Sequence, residues 1–220
     1  MSSEIGQDSA QPRIHANTRE AKLRPLLIVV AAPSGAGKTT LCDRLLNEFP
    51  QITYSVSCTT RPPRGQEVNG VDYHFLNPTE FEHQVQAGEF LEHALVHGYR
   101  YGTLHKTVAD ALHAGHSVLM DLDVQGAARL RDSVAKAREG DLLKTGFVDV
   151  FIEPPSLEVL RERLARRGED PEESMERRLR NAANEMRHSH EFHYRIVNAA
   201  VDVAYREFRA IVLREWQARA

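Results

Sequence analysis

Apolar residues along this chain recur with two different spacings, and these spacings predict alternating strands and helices. Residues 26–31 form an uninterrupted apolar run rich in β-branched side chains, which is typical of a strand buried on both faces. After a glycine-rich turn, Leu41, Leu45, Leu46 and Phe49 have the spacing of one helix face. A strand, a turn and a helix in this order predict an α/β fold with a parallel sheet.

The pattern changes after this first helix. Three short runs alternate between apolar and polar residues, as small strands with one face in water do. These runs are 52–57, 72–76 and 90–95. Between them, Asn77 followed three residues later by Glu80 is the signature of a helix N-terminus. We therefore expect residues 53–103 to form a small α+β subdomain inserted into the core.

The α/β alternation returns after the insertion. Strands are predicted at 117–121, 146–152 and 196–198, and helices at 108–114, 125–134 and 200–216. Residues 132–145 are expected to form an extended surface loop. Leu157, Leu160 and Leu164 mark one face of a further helix, which continues into an arginine-rich stretch. The domain expected over 25–220 thus has its core in 25–52, 104–155 and 190–220, and a helical lid in 156–189.

Composition narrows the classes of partner and the compartment. The chain has 220 residues, of which 41% are hydrophobic and 27% charged, which is typical of a soluble globular protein. A net charge of −3 argues against a nucleic-acid or membrane-surface partner. Two cysteines, Cys42 and Cys58, are too few for a disulfide framework. We therefore expect the protein to lie in a reducing compartment, the cytoplasm. Residues 1–24 are polar, lack the apolar stretch of a secretory signal, and are expected to be a flexible extension.

The turn after the first strand has the spacing of a phosphate-binding loop. It follows the P-loop pattern with alanine at the first glycine position, in the order Ala32, Pro33, Ser34, Gly35, Ala36, Gly37, Lys38, Thr39. Glycines let successive N–H groups face one centre, and the following helix adds the positive end of its dipole. Lys38 can reach the β- and γ-phosphates, and the Thr39 hydroxyl is a Mg²⁺ ligand in this pattern. The loop predicts a nucleoside triphosphate as the donor but leaves the acceptor open.

A second phosphate site is indicated further along the chain. Arg61 and Arg64 stand three residues apart in a proline-stiffened loop, and such a pair suits capture of a phosphate. Two arginines in a loop are also common on a solvated surface. Their position directly after a P-loop unit favours the binding site.

At this point the chain resembles the guanylate kinase family over about residues 26–212. The family signature is fitted at every defined position by Thr60-Arg61-x-x-Arg64-x-x-Glu67-x-x-Gly70-x-x-Tyr73-x-Phe75. Three further segments follow in the family's order, namely Phe90-Leu91-Glu92-His93-Ala94, Tyr101-Gly102-Thr103 and Asp121-Leu122-Asp123-x-Gln125-Gly126. The resemblance implies a P-loop nucleoside monophosphate kinase fold and the reaction ATP + GMP → ADP + GDP with Mg²⁺.

The resemblance also implies roles for individual residues on the acceptor side. Four residues would hold the GMP phosphate: Arg61, Arg64, Tyr73 and Tyr101. Glu92 would accept hydrogen bonds from guanine N1–H and the 2-amino group, with Ser57 and Thr103 facing O6. Asp121 would contribute to the GMP and metal region, with either Asp121 or Asp123 in the outer shell of the Mg²⁺ held by Thr39.

On the donor side, the resemblance identifies Arg163, Arg167 and Arg178 as lid arginines that act with Lys38 and Arg61 in catalysis. Asn198 takes the position where the family contacts adenine. Residues 161–180 contain seven arginines and six acidic residues, so a solvated, salt-bridged helix pair is the alternative for most of these charges.

Two other functions remain open at this stage. One is a kinase with another acceptor, such as AMP, UMP or a phosphorylated metabolite. The other is an inactive kinase-like module that binds protein partners, although such modules typically lose the P-loop lysine or the lid arginines, which this chain retains. Acceptance of dGMP is also left undecided, because no residue singled out above reads the sugar 2′-hydroxyl. The sequence leaves the oligomeric state undecided as well.

Overall fold

The computed structural model describes residues 24–96, 98–167 and 171–220, except for the side chain of Arg167. Residues 1–23 of the expected extension lie outside the described residues. The Arg167 side chain, for which a role in the lid is predicted, also lies outside them. Within the described ranges, no helix combines the length and apolar character needed to cross a bilayer.

A five-stranded parallel sheet forms the centre of the molecule and confirms the predicted fold class. Its strand order is β2-β7-β1-β8-β9. The strands are β1 (Leu27–Ala31), β2 (Ile52–Tyr54), β7 (Ser117–Asp121), β8 (Phe147–Glu153) and β9 (Tyr194–Val197). The predicted apolar run becomes β1, the middle strand, in which all five residues are buried. Parallel strands covered on both faces need such a run, because neither face meets water.

Helices cover both faces of this sheet, and alternate residues of β1 supply the two cores. Ile28 and Val30 face α1 (Lys38–Glu48) and α8 (Val201–Ala218), while Leu27 and Val29 face the opposite helices. The helices on that opposite side are α3 (His105–His113), α4 (Val124–Lys136) and α5 (Leu142–Thr145). The five-stranded sheet is therefore the middle layer of a three-layer sandwich.

The segment between β2 and α3 builds a second sheet with the order β4-β3-β6-β5. Its strands are β3 (Cys58–Thr59), β4 (His74–Phe75), β5 (Phe90–Val96) and β6 (Tyr99–Leu104). The run 52–57, expected as one strand of the insertion, instead gives β2 in the core sheet, followed by a separate β3. Helix α2 (Pro78–Gln86) starts as predicted, since Asn77 and Glu80 form a reciprocal capping box. Phe81 of this helix is fully buried and stacks on Phe90 at 4.4 Å between ring centroids.

Two further helices, α6 (Leu157–Arg167) and α7 (Glu172–Met186), pack against each other as a pair. Leu160 and Leu164 pack against Leu179 and Ala182 between them. The apolar spacing that predicted α6 is thus used to hold the two helices together.

The prediction of an extended loop over 132–145 is wrong. Helix α4 continues to Lys136, and residues 142–145 form the short helix α5. The Asp141 side chain accepts a hydrogen bond from the Leu143 N–H at 2.9 Å, which caps α5. Leu143 is buried in the core, so this segment is tied down by packing and not only by its ends.

Candidate active site

The P-loop joins the central strand β1 to helix α1, and its glycines adopt the conformations that the turn requires. Gly35 and Gly37 have φ values of 89° and 95°, a region that side chains disfavour. Gly37 is the N-cap residue that precedes α1, and no side chain among the described residues caps this end of the helix. The free N–H groups of α1 therefore remain open to an anion. They face a cleft of about 380 Å³ that the loop shares with Thr39, Asp123 and Glu185.

Lys38 is held beside the end of the neighbouring strand. Its ammonium group forms an ion pair with Asp121, the last residue of β7, and lies 3.5 Å from the Leu122 carbonyl oxygen. Asp123 follows and caps α4, accepting a hydrogen bond from the Gly126 N–H at 2.7 Å. The ends of β1 and β7 thus bring one cation and two carboxylates together at a single edge of the sheet, where α/β proteins bind ligands.

A second cleft of about 310 Å³ adjoins the first and lies between the two sheets. The residues that line it are Lys38, Tyr54, Ser57, Tyr73, Glu92, Ala94, Val96, Tyr101, Asp121, Leu122, Asp123 and Gly126. Most of the residues predicted to hold GMP therefore converge on one cavity. Lys38 and Asp123 line both clefts, so the two are continuous.

Among the charged residues that line the second cleft, Glu92 is the most buried. It is only 6% exposed, and one oxygen accepts a hydrogen bond from the Thr103 hydroxyl at 2.9 Å. The Ser57 hydroxyl lies 3.4 Å from that of Thr103, which brings the three predicted guanine contacts into one chain. Burial raises the Glu92 pKa to about 7, and the hydrogen bond from Thr103 opposes part of that rise.

Gly126 allows the Glu92 carboxylate to sit where it does. A β-carbon at this position would stand 3.3 Å from Glu92 Oε2 and 3.2 Å from Asp123 Oδ1. The first turn of α4 thus approaches the Glu92 carboxylate more closely than a residue with a side chain comfortably could.

The Arg61 guanidinium already donates most of its N–H groups to other protein atoms, so it does not face the cleft as an unpaired donor. It is 5% exposed, and its two terminal nitrogens donate to the two Glu67 carboxylate oxygens at 2.9 Å each. It also donates to the Pro62 carbonyl at 2.9 Å and to the Tyr101 hydroxyl at 3.2 Å. Four of its five N–H groups therefore have partners among the described residues. The Arg64 side chain is exposed, and its backbone N–H donates to Glu67 at 2.8 Å.

Tyr73 and Tyr101 stand side by side in the wall of the cleft. Their ring centroids are 5.9 Å apart, and the Arg61 guanidinium lies over the Tyr73 ring at 5.3 Å. Because Tyr101 accepts its bond from Arg61, its own O–H can point into the cleft as a donor. Two phenols and a cation on one wall suit an anionic group such as a phosphate.

The residues predicted on the donor side are placed differently from one another. Arg163 of α6 donates to the Asn198 carbonyl at 2.8 Å, and Arg178 lies partly buried in α7. Asn198 itself is 1% exposed, and its side-chain amide donates to the Ala36 carbonyl of the P-loop at 2.7 Å. In this structure Asn198 contacts the phosphate loop from behind.

Several lining residues were not predicted from the sequence. Tyr54 ends β2, and its place at the end of a parallel strand was a usable signal. Gly126 ends the motif Asp121-Leu122-Asp123-x-Gln125-Gly126, but the sequence does not indicate that it lies close to Glu92. Glu185 of α7 gave no signal; burial, and next the charge of Asp123, raises its pKa to about 7, while Lys38 lowers it.

These features define a class, that of P-loop α/β proteins in which the P-loop cleft opens into a second cleft, as a nucleotide-dependent phosphotransferase requires. Comparison with known proteins narrows that class. The family model described as guanylate kinase matches residues 24–215. The chain belongs to the guanylate kinase family and is an enzyme of that family.

Individual relatives agree with the family match. A guanylate kinase of Nitratidesulfovibrio vulgaris is 48% identical over 190 residues, covering 86% of this chain and 87% of its own. A guanylate kinase of Geobacter sulfurreducens is 42% identical over 194 residues, covering 88% and 91%. The crystal structure of guanylate kinase from Anaplasma phagocytophilum superimposes with a TM-score of 0.68 at 31% identity, covering 88% of this chain and 87% of that one.

Proposed function

We propose that this enzyme transfers the γ-phosphoryl group of ATP to GMP, giving ADP and GDP. The observation that supports the acceptor best is Glu92, a buried carboxylate in a cleft continuous with the P-loop cleft. It explains why guanine would be selected, whereas the P-loop alone explains only the donor.

Guanine offers two adjacent donors, N1–H and the 2-amino group, and one carboxylate can accept both. Thr103 already occupies Glu92 Oε1 with one hydrogen bond, and each carboxylate oxygen can accept more than one. Adenine has no N1–H, so it would leave a buried charge without its partners, at a cost on the order of several kcal/mol. The Thr103 hydroxyl uses its one O–H on Glu92, so of the two hydroxyls expected near the guanine O6, Ser57 is the one free to donate to it.

The chain's own groups act on the phosphates by position and charge. The P-loop N–H groups and Lys38 hold the β- and γ-phosphates, and the Tyr101 hydroxyl donates to the GMP phosphate. Arg163, Arg167 and Arg178 add positive charge when α6 and α7 close over the nucleotides. No general base is required, because the GMP phosphate is already an anionic nucleophile, and transfer proceeds in line between the two clefts.

A Mg²⁺ ion fits the oxygen groups at the junction of the clefts. Thr39, Asp121 and Asp123 provide one hydroxyl and two carboxylates there. The described residues hold no cluster of three or more His, Cys, Asp or Glu that could bind a metal alone. Mg²⁺ at such sites takes only one or two protein ligands and completes its shell with phosphate and water. When bound, the ion neutralises charge on the β- and γ-phosphate oxygens.

The test is ADP production from ATP with GMP, dGMP, AMP, UMP and CMP in parallel, with and without Mg²⁺. Wild type is compared with Glu92→Ala and with Glu80→Ala, which removes one of the two hydrogen bonds of the α2 capping box but no cleft residue. We expect activity with GMP that requires Mg²⁺ and falls at least a hundredfold in Glu92→Ala only. The dGMP rate decides whether the sugar 2′-hydroxyl is read.

The alternatives give different results in the same assay. Preference for AMP or UMP would retain the kinase but overturn the guanine assignment. No turnover with any acceptor, while ATP still binds, would favour a module that binds partners without catalysis.

A further inference from the structure

Asn198 joins three separate parts of the enzyme at one residue. Its backbone N–H donates to the Glu153 carbonyl of β8 at 2.8 Å, and its carbonyl accepts from Arg163 of α6 at 2.8 Å. Its side-chain Nδ2 donates to the Ala36 carbonyl at 2.7 Å. Residue 198 is thereby fixed to the central sheet, to the α6–α7 pair and to the P-loop at once.

The side chain is packed tightly against the loop. A β-carbon on Gly37 would lie 2.4 Å from Asn198 Nδ2, so the amide occupies the space that any larger residue at 37 would need. Asn198 is 1% exposed, and its Oδ1 atom is buried without a hydrogen-bond partner among the described residues. The amide donates to one carbonyl, and Asn198 is not among the described residues that line the P-loop cleft.

The planarity of the peptide bond gives this contact a consequence for phosphate binding. In a trans peptide the carbonyl of one residue and the N–H of the next point in opposite directions. Holding the Ala36 carbonyl on Asn198 therefore turns the Gly37 N–H away from Asn198. Gly37 lines the P-loop cleft, where N–H groups are the donors for the triphosphate.

We propose that Asn198 is a positioning residue for ATP phosphate binding, which orients the 36–37 peptide, and that it does not read adenine. The proposal rests on the use of ATP proposed above. It assigns Asn198 to the triphosphate, which is common to all nucleoside triphosphates, whereas the family resemblance implied a contact with the base.

The α6 helix supports the loop from another side. A β-carbon on Gly35 would stand 3.0 Å from Leu160 Cδ1 and 3.0 Å from Leu164 Cδ2. Gly35 and Gly37 are thus each covered by a side chain from a different element. Rigid support on both glycines is what a loop needs if its N–H groups are to be fixed before the nucleotide arrives.

The experiment separates phosphate positioning from base recognition. Asn198→Leu keeps about the same size but loses the donor without adding charge, and Asn198→Ala removes the side chain. Binding of ATP, ITP and GMP is measured by calorimetry; ITP carries the same triphosphate but an oxygen where adenine has its amino group. Ser117→Ala is the control, because Ser117 is a buried hydroxyl bonded to Leu26 and Trp216 and lines neither cleft.

We expect both variants to weaken ATP and ITP by a similar factor of about ten, with GMP affinity within twofold of wild type. A loss confined to ATP would overturn the proposal in favour of base reading, and unchanged ATP and ITP binding would also overturn it. Equal loss of GMP would overturn it by indicating a general structural role, which the Ser117→Ala control calibrates. Failure of wild type to bind ATP would instead contradict the proposed function.

Discussion

Arg61 and Glu67 form a two-armed ion pair, with both guanidinium–carboxylate distances at 2.9 Å. The pair fixes Arg61 so that its Nε–H reaches the Tyr101 hydroxyl. We expect Glu67→Ala to raise the KM for GMP about tenfold, because Arg61 is buried and loses the partner that orients it. Steady-state kinetics with GMP and ATP varied separately provides the measurement.

The effect should be specific to the acceptor. The KM for ATP should remain within twofold, and Glu80→Ala, which removes one hydrogen bond of the α2 capping box in the same subdomain, should leave both constants unchanged. Tighter GMP binding in Glu67→Ala would contradict this role, since it would mean that Glu67 competes with the phosphate for Arg61.

GMP binding should depend on pH through Glu92. Its pKa of about 7 means that the carboxyl is increasingly protonated as the pH falls below 7, and a protonated carboxyl can no longer accept two donors on equal terms. The Kd for GMP is expected to rise up to tenfold per pH unit below 7. Glu92→Gln is the control, because it removes this titration and keeps those of the GMP phosphate, with a pKa of about 6, and of Glu185 in the adjoining cleft. Identical pH profiles for the two proteins would exclude Glu92 as the titrating group.

The same carboxylate should reduce the stability of the free enzyme at alkaline pH. Its pKa is raised from an ordinary 4.5 to about 7 in the fold, so between these values the folded state binds a proton that the unfolded state releases. Unfolding free energy therefore falls as the pH rises from 4.5 to 7 and stays lower above it. We expect Glu92→Gln to be more stable than wild type at pH 8, by on the order of 3 kcal/mol at most.

Urea unfolding at pH 5 and pH 8 measures this difference. The advantage of Glu92→Gln should be largest at pH 8 and should fall to about a quarter of that value at pH 5. A constant difference at both pH values would show that the gain does not come from ionisation of Glu92.

Gly126→Ala tests whether space beside Glu92 matters. The new methyl group would press on Glu92 Oε2 and Asp123 Oδ1 at 3.3 and 3.2 Å, so we expect the KM for GMP to rise about fivefold. Thermal stability should hold or increase, because alanine favours a helix over glycine by about 1 kcal/mol. Gly140→Ala is a useful comparison: its φ is 83° and nothing lies within 4 Å of the added carbon, so only stability should fall. An unchanged KM in Gly126→Ala would refute the steric argument.

The sequence predicted those parts of the fold that follow from local periodicity. The run that becomes β7 was predicted with its observed ends, and the Asn77–Glu80 capping box was read directly from residue spacing. The split of 52–57 was not predictable, because the chain changes sheets there: the Ser55 N–H still bonds to Leu119, whereas Cys58 pairs with Gly102. Both pairings join residues distant in sequence.

The site shows the same division. The predicted GMP residues Ser57, Tyr73, Glu92 and Tyr101 line one cleft, and all lie in or beside recognisable motifs. The engagement of Arg61 with Glu67 and the burial of Asn198 behind the P-loop escaped prediction. Both depend on how a loop folds back on itself or on a distant strand, which neither composition nor spacing encodes.

The insertion of the four-stranded sheet between β2 and α3 separates the chemistry of the two substrates along the chain. The P-loop, Lys38 and Asp121 belong to the five-stranded sheet, whereas Ser57, Tyr73, Glu92 and Tyr101 belong to the insert or its approach. Substitutions confined to the insert would therefore reshape one wall of the second cleft and leave the P-loop unchanged.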